Sequence, residues 1–298
     1  MTEPAAPGPQ ERPGQAPGTP PGPAPSGLLA RLRAAARGAT WVPRGWWAWS
    51  TDYVYVVWRQ ARGLVTPGPP ECLASGSRVP VLLLPGIYET WYLLEPLARV
   101  LHRAGHPVHT VPALRYNTAG LDESAQVVAD RLDELGLDRV VLVAHSKGGL
   151  IGKQLMSQHP EPAASSAGAD GAPSRSRPDV VGMVAVNTPF AGSVYATYFP
   201  ARSVRALSPR FPAMRALAHE VAAHSRIVSV YGLFDPHVPG GSALAGATNV
   251  QLPVMGHFRT VAHPAVQHAV LEHVERLEQT HPQPPPADGA PHDGDAAT

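Results

Sequence analysis

The stretch Arg139-Val140-Val141-Leu142-Val143-Ala144-His145-Ser146-Lys147-Gly148-Gly149 decides the reading of this chain. Arg139 to Ala144 is a short apolar run of the kind a strand buried on both faces shows. From Gly148 to Ser157 the pattern turns helical. Ser146 therefore stands on a sharp strand-to-helix turn, the G-x-S-x-G elbow pattern with Ala144 in place of the first glycine. Such a turn strains the serine backbone and crowds the residues two before and two after it, so both must be small, as Ala144 and Gly148 are. The hydroxyl is lifted clear of the sheet, and the helix start behind it offers free N–H groups and a positive dipole end. A phosphate-binding loop does not fit. The glycine-to-Lys153 spacing is wrong, and Gln154 stands where a magnesium-holding Ser or Thr is needed.

A serine is a weak nucleophile without a base and a group that orients the base. In a sheet of this topology the acid and the histidine follow the serine in that order, on loops after late strands. After a strand at Arg226 to Tyr231 comes Gly232-Leu233-Phe234-Asp235-Pro236-His237-Val238-Pro239, which makes Asp235 the candidate acid. After a short strand at Asn249 to Leu252 comes Pro253-Val254-Met255-Gly256-His257-Phe258, which makes His257 the candidate base. Asp235 also reads as a turn residue before proline. His237 competes for the base but lies too close in sequence to Asp235. His145 points away from the serine. Two N–H donors are needed for an oxyanion, and the elbow supplies that of Lys147. The loop Pro85-Gly86-Ile87-Tyr88, after an apolar strand at Val79 to Leu84, supplies that of Ile87. The Lys147 side chain reads as a solvated charge. His219-Glu220-Val221-Ala222-Ala223-His224 has one residue too many for a zinc-protease motif, its histidines falling about 140° apart on a helix, so both read as surface residues. No cofactor and no metal are expected.

Around these loops strands and helices alternate. Helical periodicity covers Glu89 to Ala104, Leu121 to Leu135 and Ala265 to Leu277, and further strands are expected at Pro107 to Pro112 and Val180 to Val186. This alternation predicts a mostly parallel sheet with helices on both faces. Charge is balanced, 24 Lys+Arg against 23 Asp+Glu, so no basic field favours nucleic acid. The single cysteine, Cys72, excludes an internal disulfide and the multi-cysteine zinc sites. Ala, Pro, Gly and Arg dominate and only two lysines occur, a bias expected of a GC-rich bacterial genome. Of 35 prolines, 14 fall in residues 1–27 and 281–298, which read as disordered tails. The polar stretch at about 163–178 reads as a mobile insertion. Residues 28–78 form an aromatic-rich segment packing on the domain at 79–280. Within it Trp41 to Trp58 holds five of the six tryptophans, with Trp46, Trp49, Tyr53 and Val57 at helical spacing. That stripe is expected to pack on the domain, the alternative being peripheral membrane contact through residues 41–58. Without a secretory leader or a long apolar run, a cytoplasmic location is expected, with membrane association through 41–58 as the variant of it.

From Val79 to Leu277 the chain resembles the α/β-hydrolase superfamily, and within it the bacterial lipase and esterase branch. The resemblance rests on Leu82-Leu83-Leu84-Pro85-Gly86-Ile87, Ala144 to Gly149, Asn187-Thr188-Pro189-Phe190-Ala191-Gly192-Ser193, Phe234 to Pro239 and Gly256-His257-Phe258. It implies the α/β-hydrolase fold with a small cap, placed at about 190–225. It also implies hydrolysis of a small-molecule or lipid ester by Ser146, His257 and Asp235. Tyr88, Trp91, Phe190 and Tyr195 are the expected substrate-binding residues. An acyltransferase using the same three residues and a non-catalytic binding protein are the alternatives.

Overall fold

The computed structural model describes residues 49–63, 68–69, 71–137, 139–158 and 179–280. The expected tails at 1–27 and 281–298, the insertion at about 163–178, and Trp41, Trp46 and Trp47 lie outside the described residues. Six strands form one sheet: β1 (Val81–Leu84), β2 (Val108–Thr110), β3 (Arg139–His145), β4 (Asp179–Val186), β5 (Ile227–Phe234) and β6 (Thr248–Met255). Their order is β2-β1-β3-β4-β5-β6, and every pairing is parallel. The helices are α1 (residues 49–62), α2 (Trp91–Arg103), α3 (Leu121–Leu135), α4 (Lys147–Gln158), α5 (Arg202–Arg205), α6 (Pro212–His219) and α7 (Pro264–Thr280).

The period-2 pleat divides the strand side chains into two layers. Leu82, Leu84, Leu142, Ala144, Met183 and Ala185 pack with α3, α4 and α6. Val81, Leu83, Val141, Val143, Val184 and Val186 pack with α2 and α7. Both faces of the central strands are thus buried, which is why these strands read as unbroken apolar runs. After β2 the chain returns to the other side of β1, so β1 and β3 are neighbours whose following loops diverge. Such a switch point opens a crevice at the carboxyl ends of the strands. The loop Pro85–Tyr88 and Ser146 both lie there.

Two strands run longer than their sequence pattern. Pro253 reads as a terminator, yet β6 is the sheet edge, where a missing N–H costs no ladder bond. β5 continues through Gly232 to Phe234, with a register shift between them; a Cβ on Gly232 would stand 2.6 Å from the Val254 carbonyl oxygen.

The expected packing face of α1 is corrected. Trp49, Tyr53 and Val57 remain 41%, 40% and 63% exposed. The buried face is Asp52, Tyr55, Val56 and Arg59, which follow the same helical spacing but include two charges. Pro96 inside α2 has no N–H for the Tyr92 carbonyl one turn back. Arg59 satisfies that carbonyl through Nε at 2.8 Å and pairs with Glu95 at 2.8 Å. Of the stripe, Tyr53 does meet the domain, its ring 5.5 and 5.9 Å from those of His237 and Phe258, but the more deeply buried face carries two charged residues whose partners lie elsewhere in the chain. Among the described residues no helix is long and apolar enough to cross a membrane.

Candidate active site

Ser146 sits between β3 and α4 with φ 52°, a left-handed conformation that is strained for a residue with a Cβ. Its N–H is held by the Val186 carbonyl at 2.9 Å. The helix starts tightly against the neighbouring strand. A Cβ on Gly148 would lie 2.1 Å from the Leu84 carbonyl oxygen, and one on Gly149 2.1 Å from Thr188 Oγ1. Glycine at these positions is a packing requirement that lets the serine turn form.

The structure brings Ser146, His257 and Asp235 into one line. Ser146 Oγ is 3.0 Å from His257 Nε2, and His257 Nδ1 is 2.6 Å from Asp235 Oδ2. The other Asp235 oxygen accepts the N–H groups of His237 and Val238 at 2.8 and 3.1 Å. Donation of Nδ1–H to the carboxylate leaves the Nε2 lone pair facing the serine hydroxyl. Burial disfavours a charge on His257, but the Asp235 carboxylate beside it wins and raises its pKa above the ordinary 6.5. Burial would raise Asp235, yet the His257 charge and the hydrogen bonds hold it below the usual carboxylate value. His237 packs on His257 with ring centroids 4.8 Å apart. Burial and repulsion from His257 push its pKa down to about 3, so it stays neutral.

The loop after β1 folds around Glu89, which is buried and accepts the Gly86 N–H at 2.6 Å. Tyr88, at φ 57°, donates its N–H to the Tyr116 carbonyl at 2.7 Å. The Ile87 N–H has no acceptor among the described residues. Lys147 is the first residue of α4, so its N–H has no acceptor within the helix. The Lys147 side chain is not a solvated charge, as its sequence suggested. It is 1% exposed and donates from Nζ to the Asn117 and Ala119 carbonyls at 2.8 and 2.6 Å. Burial lowers its pKa to about 8. Asn117 in turn donates to the Pro85 carbonyl at 2.7 Å, so this lysine ties the elbow to the loop after β1.

Of the expected substrate-binding residues, Tyr88 and Tyr195 present their rings, at 45% and 58% exposure. Phe190 is buried with Ala196, Leu207, Met214 and Leu217, and Trp91 packs on the α2–α7 layer. Both serve the core, because the apolar faces of their elements turn inward. His219 is exposed, but His224 is buried, its Nδ1 2.7 Å from the Ala245 carbonyl, which corrects its reading as a surface residue.

Asp52 and Glu89 escaped sequence reasoning as site residues, and so did the supporting roles of His145 and Asn187. Asp52 accepts the N–H groups of His257, Phe258 and Arg259. Glu89 lies 2.9 Å from His145 Nδ1, while His145 Nε2 is 3.0 Å from the His257 carbonyl. Asn187, at φ 49°, donates to that carbonyl at 3.0 Å. The signal for Glu89 was its place three residues after Gly86; for Asp52 there was none, since its partners lie 205 to 207 positions away. Among the described residues, Glu89, His145 and His257, and Asp235, His237 and His257, are the two groups whose ligand atoms lie within 4.8 Å of one another and could approach a metal ion. Most of these atoms are already committed to the hydrogen bonds above.

The sequence matches no protein-family model. It matches no curated protein. Solved structures do resemble the chain. One comes from work on LipS and LipT, two metagenome-derived lipolytic enzymes, with TM-score 0.46 and 17% identity over 70% of this chain and 96% of that one. Another is the alpha/beta hydrolase domain-containing protein 10 from mouse, with TM-score 0.47 and 12% identity over 69% and 91%. A third is a putative non-heme bromoperoxidase, BpoC, from Mycobacterium tuberculosis, with TM-score 0.47 and 15% identity over 68% and 94%. At such identities and TM-scores these likenesses carry no argument about this chain's activity or substrates. The parallel sheet order, the strained serine between β3 and α4, and the loops that follow β1, β5 and β6 give this chain the α/β-hydrolase fold, the architecture of the superfamily its sequence resembles.

Proposed function

We propose that this chain is a serine hydrolase that cleaves carboxylic esters, of the lipase and esterase kind, through an acyl-enzyme on Ser146. The observation that carries the reading is the unbroken hydrogen-bonded line from Ser146 Oγ through His257 to Asp235, at 3.0 and 2.6 Å. Ser146 Oγ attacks the acyl carbonyl while His257 Nε2 takes its proton. Asp235 holds the Nδ1–H tautomer and stabilises the imidazolium. Charge collects on the carbonyl oxygen, where the N–H groups of Ile87 and Lys147 receive it. The C–O bond then breaks, the leaving alcohol takes the proton from His257, and the acyl group stays on Ser146. Water repeats the sequence and frees the acid.

Tyr88 and Tyr195 support an acyl-binding wall, and each CH₂ buried there is worth about 0.8 kcal/mol. Short-to-medium acyl esters are therefore the expected substrates. Hydrolysis of p-nitrophenyl butyrate tests the reading: the native chain turns it over and Ser146→Ala does not. Equal turnover by the two would overturn it. Product analysis with an added alcohol separates hydrolysis from acyl transfer.

A further inference from the structure

The turn that carries His257 presents three successive backbone N–H groups, of His257, Phe258 and Arg259, to one concavity. Such a nest favours an anion. A side chain fills it. Asp52 of α1, fully buried, places Oδ2 2.7 Å from the His257 nitrogen, and Oδ1 2.9 and 2.8 Å from those of Phe258 and Arg259. Gly256, at φ 112°, makes room: a Cβ there would stand 3.1 Å from Asp52 Oδ1. On the other side of the same residue, the His257 carbonyl accepts from His145, Asn187 and Thr260. The same helix reaches further. Tyr53 Oη is 3.0 Å from His237 Nε2, and Gln60 donates to the Tyr88 carbonyl at 2.6 Å. Eight residues of helix, about 12 Å, thus span from the histidine turn to the loop that bears Ile87.

We infer that Asp52 is a positioning residue for His257, and that α1 is a brace of the catalytic apparatus. The inference rests on the proposed ester hydrolysis for its kinetic consequence, and on the contacts alone for its structural one. A carboxylate is the side chain that suits this place, since it is acceptor-only and serves all three donors. Asparagine offers one oxygen, so Asp52→Asn keeps at most the Phe258 and Arg259 contacts and turns an NH₂ group toward the His257 N–H.

The charges around His257 come from several elements: Asp235 and neutral His237 after β5, Glu89 before α2, His145 at the end of β3, Arg259 next along the turn, and Asp52 on α1. Removing the Asp52 charge makes the imidazolium less favourable and lowers the pKa of His257, the direction opposite to its present elevation. In Asp52→Asn, kcat/KM therefore falls roughly 10- to 100-fold from misplacement of the base, while its acid limb moves to lower pH. Arg59→Met is the control. It loosens the same helix without touching the histidine turn, so it lowers Tm and leaves the acid limb in place. An unmoved acid limb in Asp52→Asn, or a shift equal to that of Arg59→Met, overturns the inference.

Titration of the His257 imidazole by NMR repeats the comparison without any substrate. A native chain with no ester turnover would defeat the proposed function, yet a lower His257 pKa in Asp52→Asn would still uphold the brace. Should Asp52→Asn fail to fold, amide exchange in the native chain decides. The His257, Phe258 and Arg259 amides should exchange as slowly as those of β3; exchange at open-loop rates would contradict the contacts.

Discussion

Ser146, His257 and Asp235 act as a unit in the account above, so their removal is far from additive. Ser146→Ala and His257→Ala should each lower kcat by several orders of magnitude, roughly 10⁴ or more. Asp235→Asn should come close to that, because the amide no longer selects the productive tautomer. Initial rates on a p-nitrophenyl ester check all three, and retention of a tenth of the activity in any one would contradict the assignment. The pH profile has a definite sign. The folded pKa of His257 is raised above 6.5, and the base works only when neutral. The acid limb of kcat/KM should accordingly lie above pH 6.5, with activity lost as pH falls through it. A limb below the ordinary histidine value would mean that the Asp235 carboxylate is not the dominant neighbour. These three residues were legible in the sequence because each follows a strand at a loop with its own local pattern. Asp52 was not, since a buried carboxylate on a distant helix leaves no local trace.

At the scale of elements, the elbow depends on α4 lying hard against β1. Gly148→Ala sets a Cβ 2.1 Å from a backbone oxygen that has no rotamer to relax into. It should destabilise by about 3 kcal/mol or more. Gly240→Ala, on an exposed turn with nothing within 4 Å of its Cβ, should stay within about 0.5 kcal/mol of the native chain. Thermal melts of the pair test whether the close approach, and not glycine flexibility, is what matters. Arg59→Met removes one of two guanidinium partners of Glu95, which keeps Arg99, together with the donor to the Tyr92 carbonyl, a loss of about 2 kcal/mol. For a domain of this size that is roughly 6 °C in Tm. An unchanged Tm would show that α1 is not docked through Arg59. Elements in the sheet were readable because burial on both faces leaves apolar runs. The docking of α1 was not: Pro96 offers no N–H to the Tyr92 carbonyl, and Arg59, which donates to it, stands 33 positions earlier in the chain, which no periodicity encodes.

At the scale of the whole molecule, the proposed mechanism uses only side chains and backbone amides of residues 79–280. Dialysis against EDTA should therefore leave ester turnover unchanged, and a loss that zinc or calcium restores would reveal a metal requirement the account lacks. Excess zinc should inhibit, because each of the two groups that can approach the ion among the described residues includes His257. Tyr88, in the loop after β1, and Tyr195 are exposed, so on the proposed reading kcat/KM should rise from acetate to medium-chain p-nitrophenyl esters; a steady fall from acetate upward would remove the acyl-binding wall. The claim on which the rest depends is that Ser146 is an activated nucleophile. Incubation with a fluorophosphonate, followed by intact-mass and peptide mass spectrometry, tests it most directly. One adduct per chain is expected, located on Ser146, absent from Ser146→Ala and strongly slowed in His257→Ala. No adduct on the folded chain, or an adduct on another residue that persists in Ser146→Ala, would contradict it.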